Sequence, residues 1–509
     1  METIFISGDD LTPDQVALAG VGGITFALSS QARQHIAASR KIVDLIVKEE
    51  RVVYGINTGF GKFSDRIISN GDVKLLQKNL LMTQAVGAGP NLEKEEVRAM
   101  MLLRINNLAK GFSGVKTETV DTLLAMLNKG VTPVVPQKGS LGASGDLVPL
   151  AHMALPVIGL GLAEYRGEVC SGAEAMKRAG ISPVILTEKE GLALINGTQA
   201  MTAVGSLALN EALMLLKVAD IALALSFEAH NSITDVLDER MHAVRPHKGQ
   251  MDTARIVKRL LAGSRNTTRQ GEIRTQDAYS LRCAPQVHGA SKDALNYIYD
   301  KVLIEINSVT DNPIIFADTG EGISGGNFHG QPMALCFDFL AIAIAEIAGI
   351  SERRIERMVN PMLSELPAFL TEQGGLNSGY MILQYTAAAL VSENKILAHP
   401  ASVDSIPSSA SQEDHVSMGT IAACKARTVV RNTRRVLALE LMTACQAIDL
   451  RGDKGMGEGT VAAYQAIRKA VAQLKEDRPL YDDINACEAL IADGTLIQCV
   501  EKRMGENIF

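Results

Sequence analysis

A chain of 509 residues exceeds what one ordinary hydrophobic core organises, which predicts several domains or one elongated helical assembly. Its 50 Lys and Arg against 57 Asp and Glu leave a net charge of −7 with no basic block. Aromatic residues make up only 4% and Trp is absent, which argues against nucleic acid as the main partner.

In chain order, METIFISGDD carries acids where a signal peptide has a basic start. VYGINTGFGKF (53–63) reads as a glycine-rich loop, but not a phosphate loop. GxxxxGK[ST] needs Gly at 56 and Ser or Thr at 63, where Ile56 and Phe63 stand. TPVVPQ (132–137) predicts a short strand, as does NPIIFAD (312–318). Between them lies GSLGASGD (139–146), three glycines in eight residues, directly before an apolar run containing His152. That histidine reads as a hydrogen-bonded core residue. A nucleophile elbow needs GxSxG, and 142–146 reads GASGD.

Gly and Pro are absent from 206–245, 290–312, 380–399 and 420–451, and 333–360 has only Gly349. These stretches predict long helices, the last roughly 48 Å long at 1.5 Å per residue. The first half of 333–360, ALCFDFLAIAIAEIA, is apolar nearly all round and predicts a helix buried inside a bundle. No run of 18 uncharged apolar residues occurs; even here Asp338 and Glu346 interrupt. The seven cysteines are scattered without a CxxC pair, and the nine histidines show no HExxH spacing. The expectation is a cytoplasmic protein with reduced thiols, no catalytic metal and no membrane attachment. The fold class expected is mainly α: a loop-rich N-terminal part (1–200) and a long-helix bundle (201–509).

Ala143-Ser144-Gly145 offers unusual chemistry. At a compressed turn the Gly145 nitrogen can approach the Ala143 carbonyl, because glycine lacks Cβ and alanine adds little bulk. Cyclisation with loss of water gives an imidazolone, and loss of a second water from Ser144 leaves an exocyclic methylidene. The product is an electrophile made wholly of protein atoms.

GSLGASGDLVPLAHMAL resembles the prosthetic-group segment of the aromatic amino acid ammonia-lyases and aminomutases that carry 4-methylidene-imidazol-5-one (MIO). The resemblance covers nearly the whole chain. VYGINTGFGKF, INGTQA (195–200), QDAYSLRCAPQ (276–286), TDNPIIF (310–316), GGNFHGQP (325–332), GLNSGYM (375–381) and SQEDHVSMG (411–419) resemble further family segments in order. The resemblance implies a central long-helix bundle of the histidase/fumarase-like type, MIO formed autocatalytically from Ala143, Ser144 and Gly145, and a homotetramer. NGTQA and QEDH are most similar to the histidine-specific members, which implies elimination of ammonia from L-histidine to give trans-urocanate. A tyrosine or phenylalanine lyase, or an aminomutase, is the alternative.

The same resemblance implies roles for individual residues. Tyr54 is the base at the β-carbon, which requires a lowered pKa, since a phenol is ordinarily protonated at neutral pH. Arg282 forks the substrate carboxylate. Asn196 and Tyr279 lie near the ring, and Glu413 contacts the substrate imidazole or assists proton transfer. Asn312, Phe328, Met381, Thr83, Gln84 and Gln412 line the substrate. Asp146 and Pro149 mark the start of a helix whose positive end faces the electrophile.

Two positions depart from the family pattern. Thr83-Gln84 stands where histidine-specific members commonly carry Ser-His, and Ser411 where Asn is frequent. Gln hydrogen-bonds an imidazole but cannot carry its charge. From other classes, a serine hydrolase using Ser144 and a catalytically silent helical scaffold remain as rivals.

Overall fold

In the computed structural model, which describes residues 3–69, 71–505 and 508–509, five long helices dominate the later chain. They span Gln199–Ala229, Ala284–Ile306, Gln331–Val359, Met381–Leu397 and Gly419–Arg451. The last coincides with the expected stretch to within a residue. The stretch 206–245 instead breaks after Ala229. Asn231 enters the left-handed region at φ 47°, and a short 3-10 turn (Thr234–Leu237) and a short helix (Glu239–Ala243) follow. Side chains there capture the backbone: Asp277 accepts from the Ile233 amide at 2.7 Å, and Asp238 caps the Arg240 amide at 2.9 Å. These bonds, the Asp238 one local and the Asp277 one long-range, compete with helix propagation even where Gly and Pro are absent.

The strands are short and paired in small sheets. Thr3–Ile6 runs parallel to Thr25–Leu28, and Ile314–Phe316 pairs antiparallel with Glu321–Ile323. TPVVPQ divides between two sheets. Thr132–Pro133 joins Leu162–Tyr165, while Pro136–Lys138 joins Ala88–Asn91. Its prolines lack the amide a continuous ladder needs, so the segment cannot serve as one strand.

The chain divides into two compact units. The first comprises Met1–Asn210, Tyr299–Asp338 and Pro400–Cys424; the second comprises Glu211–Ile298, Phe339–His399 and Lys425–Phe509. The expected boundary at 200 thus moves to 210, and the first unit takes back two later segments. At four of the five crossings a helix carries the chain between units, and only the crossing at His399–Pro400 falls in a loop, so composition marks few of them.

In the first unit the helix Lys94–Ala109 is buried from Glu96 to its end, with Arg104 fully enclosed. The second unit encloses charge in pairs. Arg354 and Glu440, both fully buried, form an ion pair that also accepts the Ser226 hydroxyl at 2.7 Å. His288 bonds Asp220 at 3.0 Å. Stripping water from such groups is costly, so each needs its partner.

The helix Gln331–Val359 is long and apolar enough to cross a membrane by composition, and two-thirds (67%) of its most apolar window is buried in protein. The expectation of burial on every face fails, however. Phe339 and Ile342 remain 42% and 45% exposed, leaving an uncovered apolar edge in the second unit. Burial all round requires neighbours on all sides, and within one chain the bundle leaves that edge open.

Candidate active site

After the strand Pro136–Lys138 the chain turns through four residues of left-handed backbone: Gly139, Gly142, Ser144 (φ 52°) and Gly145 (φ 74°). Ser144 carries a side chain in a conformation that L-residues disfavour, which marks local strain. Gly145 is wedged against a neighbouring backbone: a Cβ there would lie 2.2 Å from the Gly197 carbonyl oxygen. That oxygen also accepts the Asp146 amide at 2.7 Å. Asp146 is fully buried and precedes the helix Leu147–Ala154 as expected, but its side chain does not cap it. The carboxylate instead accepts from the Met201 amide (2.8 Å), Ser140 (3.1 Å) and Thr420. Burial still pushes its pKa upward, those donors opposing.

The half-buried Ser144 hydroxyl donates to Glu413 Oε1 at 3.4 Å, and Ser408 donates to Oε2 at 3.0 Å. Backbone bonds between 408 and 413 in both directions hold the carboxylate in place. Tyr54 lies on the loop 53–63 with its ring edge-on to Phe60, and its hydroxyl oxygen accepts the Gly61 amide at 3.4 Å. The lowered Tyr54 pKa expected of a base is not what this environment produces. Burial raises it, the Gly61 amide lowers it, and the Glu413 charge raises it further. Apart from the Gly61 amide, the groups that shift the phenol disfavour a phenolate, burial most of all.

Asn196 is buried at the end of the helix Glu190–Ile195. Its amide nitrogen donates to the Asn312 carbonyl (3.2 Å) and Asp311 Oδ1 (3.5 Å). Asp311 in turn pairs with Lys189 at 2.6 Å, both side chains fully buried. Asn312 Oδ1 accepts the Gly325 amide at 2.8 Å, tying it to the segment that carries the half-buried Phe328. Thr83 and Gln84 end the helix Val73–Gln84 and line a cavity of about 760 Å³ with Gly59, Phe60, Phe63 and Ser409. The exposed Gln412 donates its amide to the Ser409 carbonyl at 3.2 Å. His152 accepts the Gly87 amide at 3.0 Å, the hydrogen-bonded role read from the sequence.

The first unit therefore holds Ala143, Ser144, Gly145, Tyr54, Glu413, Asn196, Asn312, Phe328, Thr83, Gln84 and Gln412. Tyr279, Arg282 and Met381 belong to the second. Tyr279 is 70% exposed, with the Arg282 guanidinium 4.5 Å above its ring, and Arg282 Nε donates to the Asp277 carbonyl at 2.9 Å. Met381 is the first residue of the helix Met381–Leu397 and is half-buried.

The profile of the family "Aromatic amino acid lyase" matches residues 11–469. The chain belongs to the aromatic amino acid lyase family. It is 60% identical over 502 residues to histidine ammonia-lyase of Alkaliphilus oremlandii (strain OhILAs), covering 99% of both chains. Among solved structures it resembles histidine ammonia-lyase from Trypanosoma cruzi, with 42% identity and a TM-score of 0.93, covering 100% of this chain and 96% of that one. Tyrosine aminomutase from Streptomyces globisporus superposes with a TM-score of 0.96 at 36% identity, both chains fully covered.

In this aromatic amino acid lyase, sequence reasoning missed the groups beneath the site: Arg104, Lys189, Asp311, Ser140 and Ser408. Two of them left a signal. Arg104 with Asn106 and Asn107 interrupts the apolar stretch AMMLLRINNLA, and Asp311 stands inside TDNPIIF. A charge inside an apolar helix is rarely buried unless it is bonded there.

Proposed function

We propose that the chain eliminates ammonia from L-histidine to give trans-urocanate, using MIO formed from Ala143, Ser144 and Gly145. The observation that carries this reading is the strained Ser144–Gly145 pair, held against the Gly197 carbonyl with Glu413 on the Ser144 hydroxyl. These residues fit the group: both are left-handed, and the space at Gly145 admits no side chain. The histidine ammonia-lyases at 54–60% identity over 99% of their length support the substrate. When formed, the group supplies an electrophile that captures the amine and makes it a better leaving group.

The remaining work belongs to side chains. Tyr54 takes the β-proton, with the Gly61 amide stabilising its phenolate. Glu413 accepts the imidazole N–H and holds a proton at Oε1 or Oε2. Arg282 grips the carboxylate through two parallel bonds. Asn196 and Tyr279 donate toward charge arriving on the ring, and Asn312, Phe328, Met381, Thr83, Gln84 and Gln412 shape the pocket. No metal takes part. The enzyme is cytoplasmic and a homotetramer, in which the exposed Ile382, Tyr385 and Ile396 of one helix, with Phe339 and Ile342 of another, find cover.

The test compares L-histidine, L-tyrosine and L-phenylalanine by product absorbance, with assay for β-amino acids. Urocanate from histidine is expected. Faster turnover of tyrosine, or a β-amino acid product, would instead favour the aminomutase-like reading that Thr83-Gln84 and the tyrosine aminomutase structure support.

A further inference from the structure

With Arg354, Arg104 is one of the two largest fully buried side chains among the described residues, yet every acceptor Arg104 reaches is neutral. Nη1 donates to the Ala193 carbonyl (3.1 Å) and to Asn107 Oδ1 (3.4 Å). Nη2 donates to the Asn196 carbonyl at 2.9 Å and to Gln199 Oε1. Burying a guanidinium without a bonded carboxylate is expensive. Burial lowers its pKa to about 10, and only the field of Asp311 and Asp146 opposes this. A charge kept under those conditions needs a reason beyond packing.

Its position supplies one. The Asn196 carbonyl it binds belongs to the turn whose next residue, Gly197, presents the oxygen that crowds Gly145 and accepts the Asp146 amide. Gly197 sits at φ 141°, and a Cβ there would lie 2.8 Å from Arg104 Nη2, 2.7 Å from Thr310 Oγ1 and 2.5 Å from Gln199 Oε1. The turn is thus clamped from below by Arg104. Its Asn196 side chain is held separately by Asp311, itself fixed by Lys189.

We propose that Arg104 is a positioning residue for ring closure: it locks the Asn196–Gly197 turn so that the Gly197 carbonyl compresses Ala143-Ser144-Gly145 into reactive geometry. The inference rests on the ring proposed above. In closure the Gly145 nitrogen bonds to the Ala143 carbonyl carbon. That oxygen leaves as water with the amide protons of Gly145 and Ser144, and the second water takes the Ser144 hydroxyl and the Ser144 Cα proton. No oxidant or external reagent enters. Arg104 touches none of these atoms; it acts through the Gly197 peptide.

The test is the mass of the peptide spanning 139–146, from full-length protein taken at intervals after a pulse of expression and restricted to the folded, soluble pool. Wild type should become two waters lighter. An unmodified wild-type peptide would remove the ring itself and this inference with it. Arg104→Gln should fold but lose water about tenfold more slowly, a change of roughly 1.4 kcal/mol in a barrier. Wild-type dehydration in folded Arg104→Gln would overturn the proposal. Arg104→Lys keeps the charge without the fork and should be slowed as well. If the Gln variant does not fold, this one decides, and a wild-type rate in it would overturn the idea. Arg98→Gln is the control. Arg98 is a buried arginine on the same helix, bonded to the Ala19 and Leu127 carbonyls away from this turn. It should lower thermal stability yet dehydrate normally. Equal slowing in Arg98→Gln would reduce the Arg104 effect to general destabilisation and also overturn the proposal.

Discussion

The Ser144 hydroxyl reaches Glu413 Oε1 across 3.4 Å, and that same carboxylate faces the phenol of Tyr54 closely enough to raise its pKa. One anion therefore touches the residue proposed to supply the electrophile and opposes ionisation of the proposed base. Replacing it separates the two effects. A negative neighbour disfavours a phenolate, so Glu413→Gln should lower the Tyr54 pKa. Ultraviolet phenolate titration, with Tyr54→Phe as the blank, reads that shift directly. Turnover of histidine should nonetheless fall by about 10²–10⁴, the usual loss when a positioned proton-transfer group is removed. A variant with unchanged kcat would dismiss Glu413 from proton transfer.

Gly145→Ala tests whether compression makes the ring. The new methyl group would meet the Gly197 carbonyl oxygen at 2.2 Å, at a position with φ 74°. Neither a backbone oxygen nor that dihedral yields cheaply, and the strain costs roughly 1–3 kcal/mol. The segment should relax outward, leaving 139–146 at its unmodified mass in protein that still folds. Mass spectrometry with circular dichroism decides it. Complete loss of both waters in this variant would show that closure does not depend on the tight approach.

What was legible in the sequence follows from range. The Gly- and Pro-free runs exposed the long helices because helix propensity is local, and Gly419–Arg451 emerges as read. The end at Ala229 was not legible, since it depends on Asp277 reaching the Ile233 amide from 44 residues away. The strands at Thr3–Ile6 and Leu162–Tyr165 are too short for alternation to show. Around the proposed ring, the strained Ser144 and its contact with Glu413 fall in segments that stand out in the sequence through unusual residues. Arg104 and Lys189 were not legible, because their roles consist of contacts to backbone and side chains distant in the chain. The exposure of Phe339 and Ile342 was misread for a related reason. An apolar pattern states that a face seeks cover, not whether the same chain provides it.

Acid stability should report the second unit. His230 is 6% exposed and its pKa is lowered to about 3, first by burial and then by the charges of Arg357, Arg451, Arg274 and Arg354. The folded state keeps it neutral, while the unfolded chain protonates it near the ordinary value of about 6.5. Its contribution is therefore complete above pH 6.5 and is lost as pH falls toward 3, by about 1.4 kcal/mol per unit. His288, also lowered by burial, adds a slope of the same sign. Denaturant midpoints measured from pH 7 to pH 5 should fall for wild type and decline less steeply for His230→Asn. Parallel curves would mean that His230 does not titrate in this window.

The last prediction concerns the uncovered apolar edges. Ile382, Tyr385 and Ile396 lie 58%, 59% and 73% exposed along the helix Met381–Leu397, the first two on neighbouring turns and Ile396 about three turns further on. Phe339 and Tyr297, which meet edge-on with centroids 6.4 Å apart, are half open as well. Isolated exposed apolar residues are ordinary, but large side chains recurring along a helix mark a face that seeks a partner. A charge at the centre of such a face must be desolvated on association and finds no counter-ion among apolar neighbours. Ile382→Glu combined with Tyr385→Glu should therefore shift the protein from the proposed tetramer to smaller species in sedimentation velocity. Monomeric folding is set by each unit's buried core, which neither residue joins, so circular dichroism should change little. An intact tetramer in the double variant would place the interface elsewhere, whereas dissociation accompanied by loss of turnover would mean that the active site is complete only in the assembly.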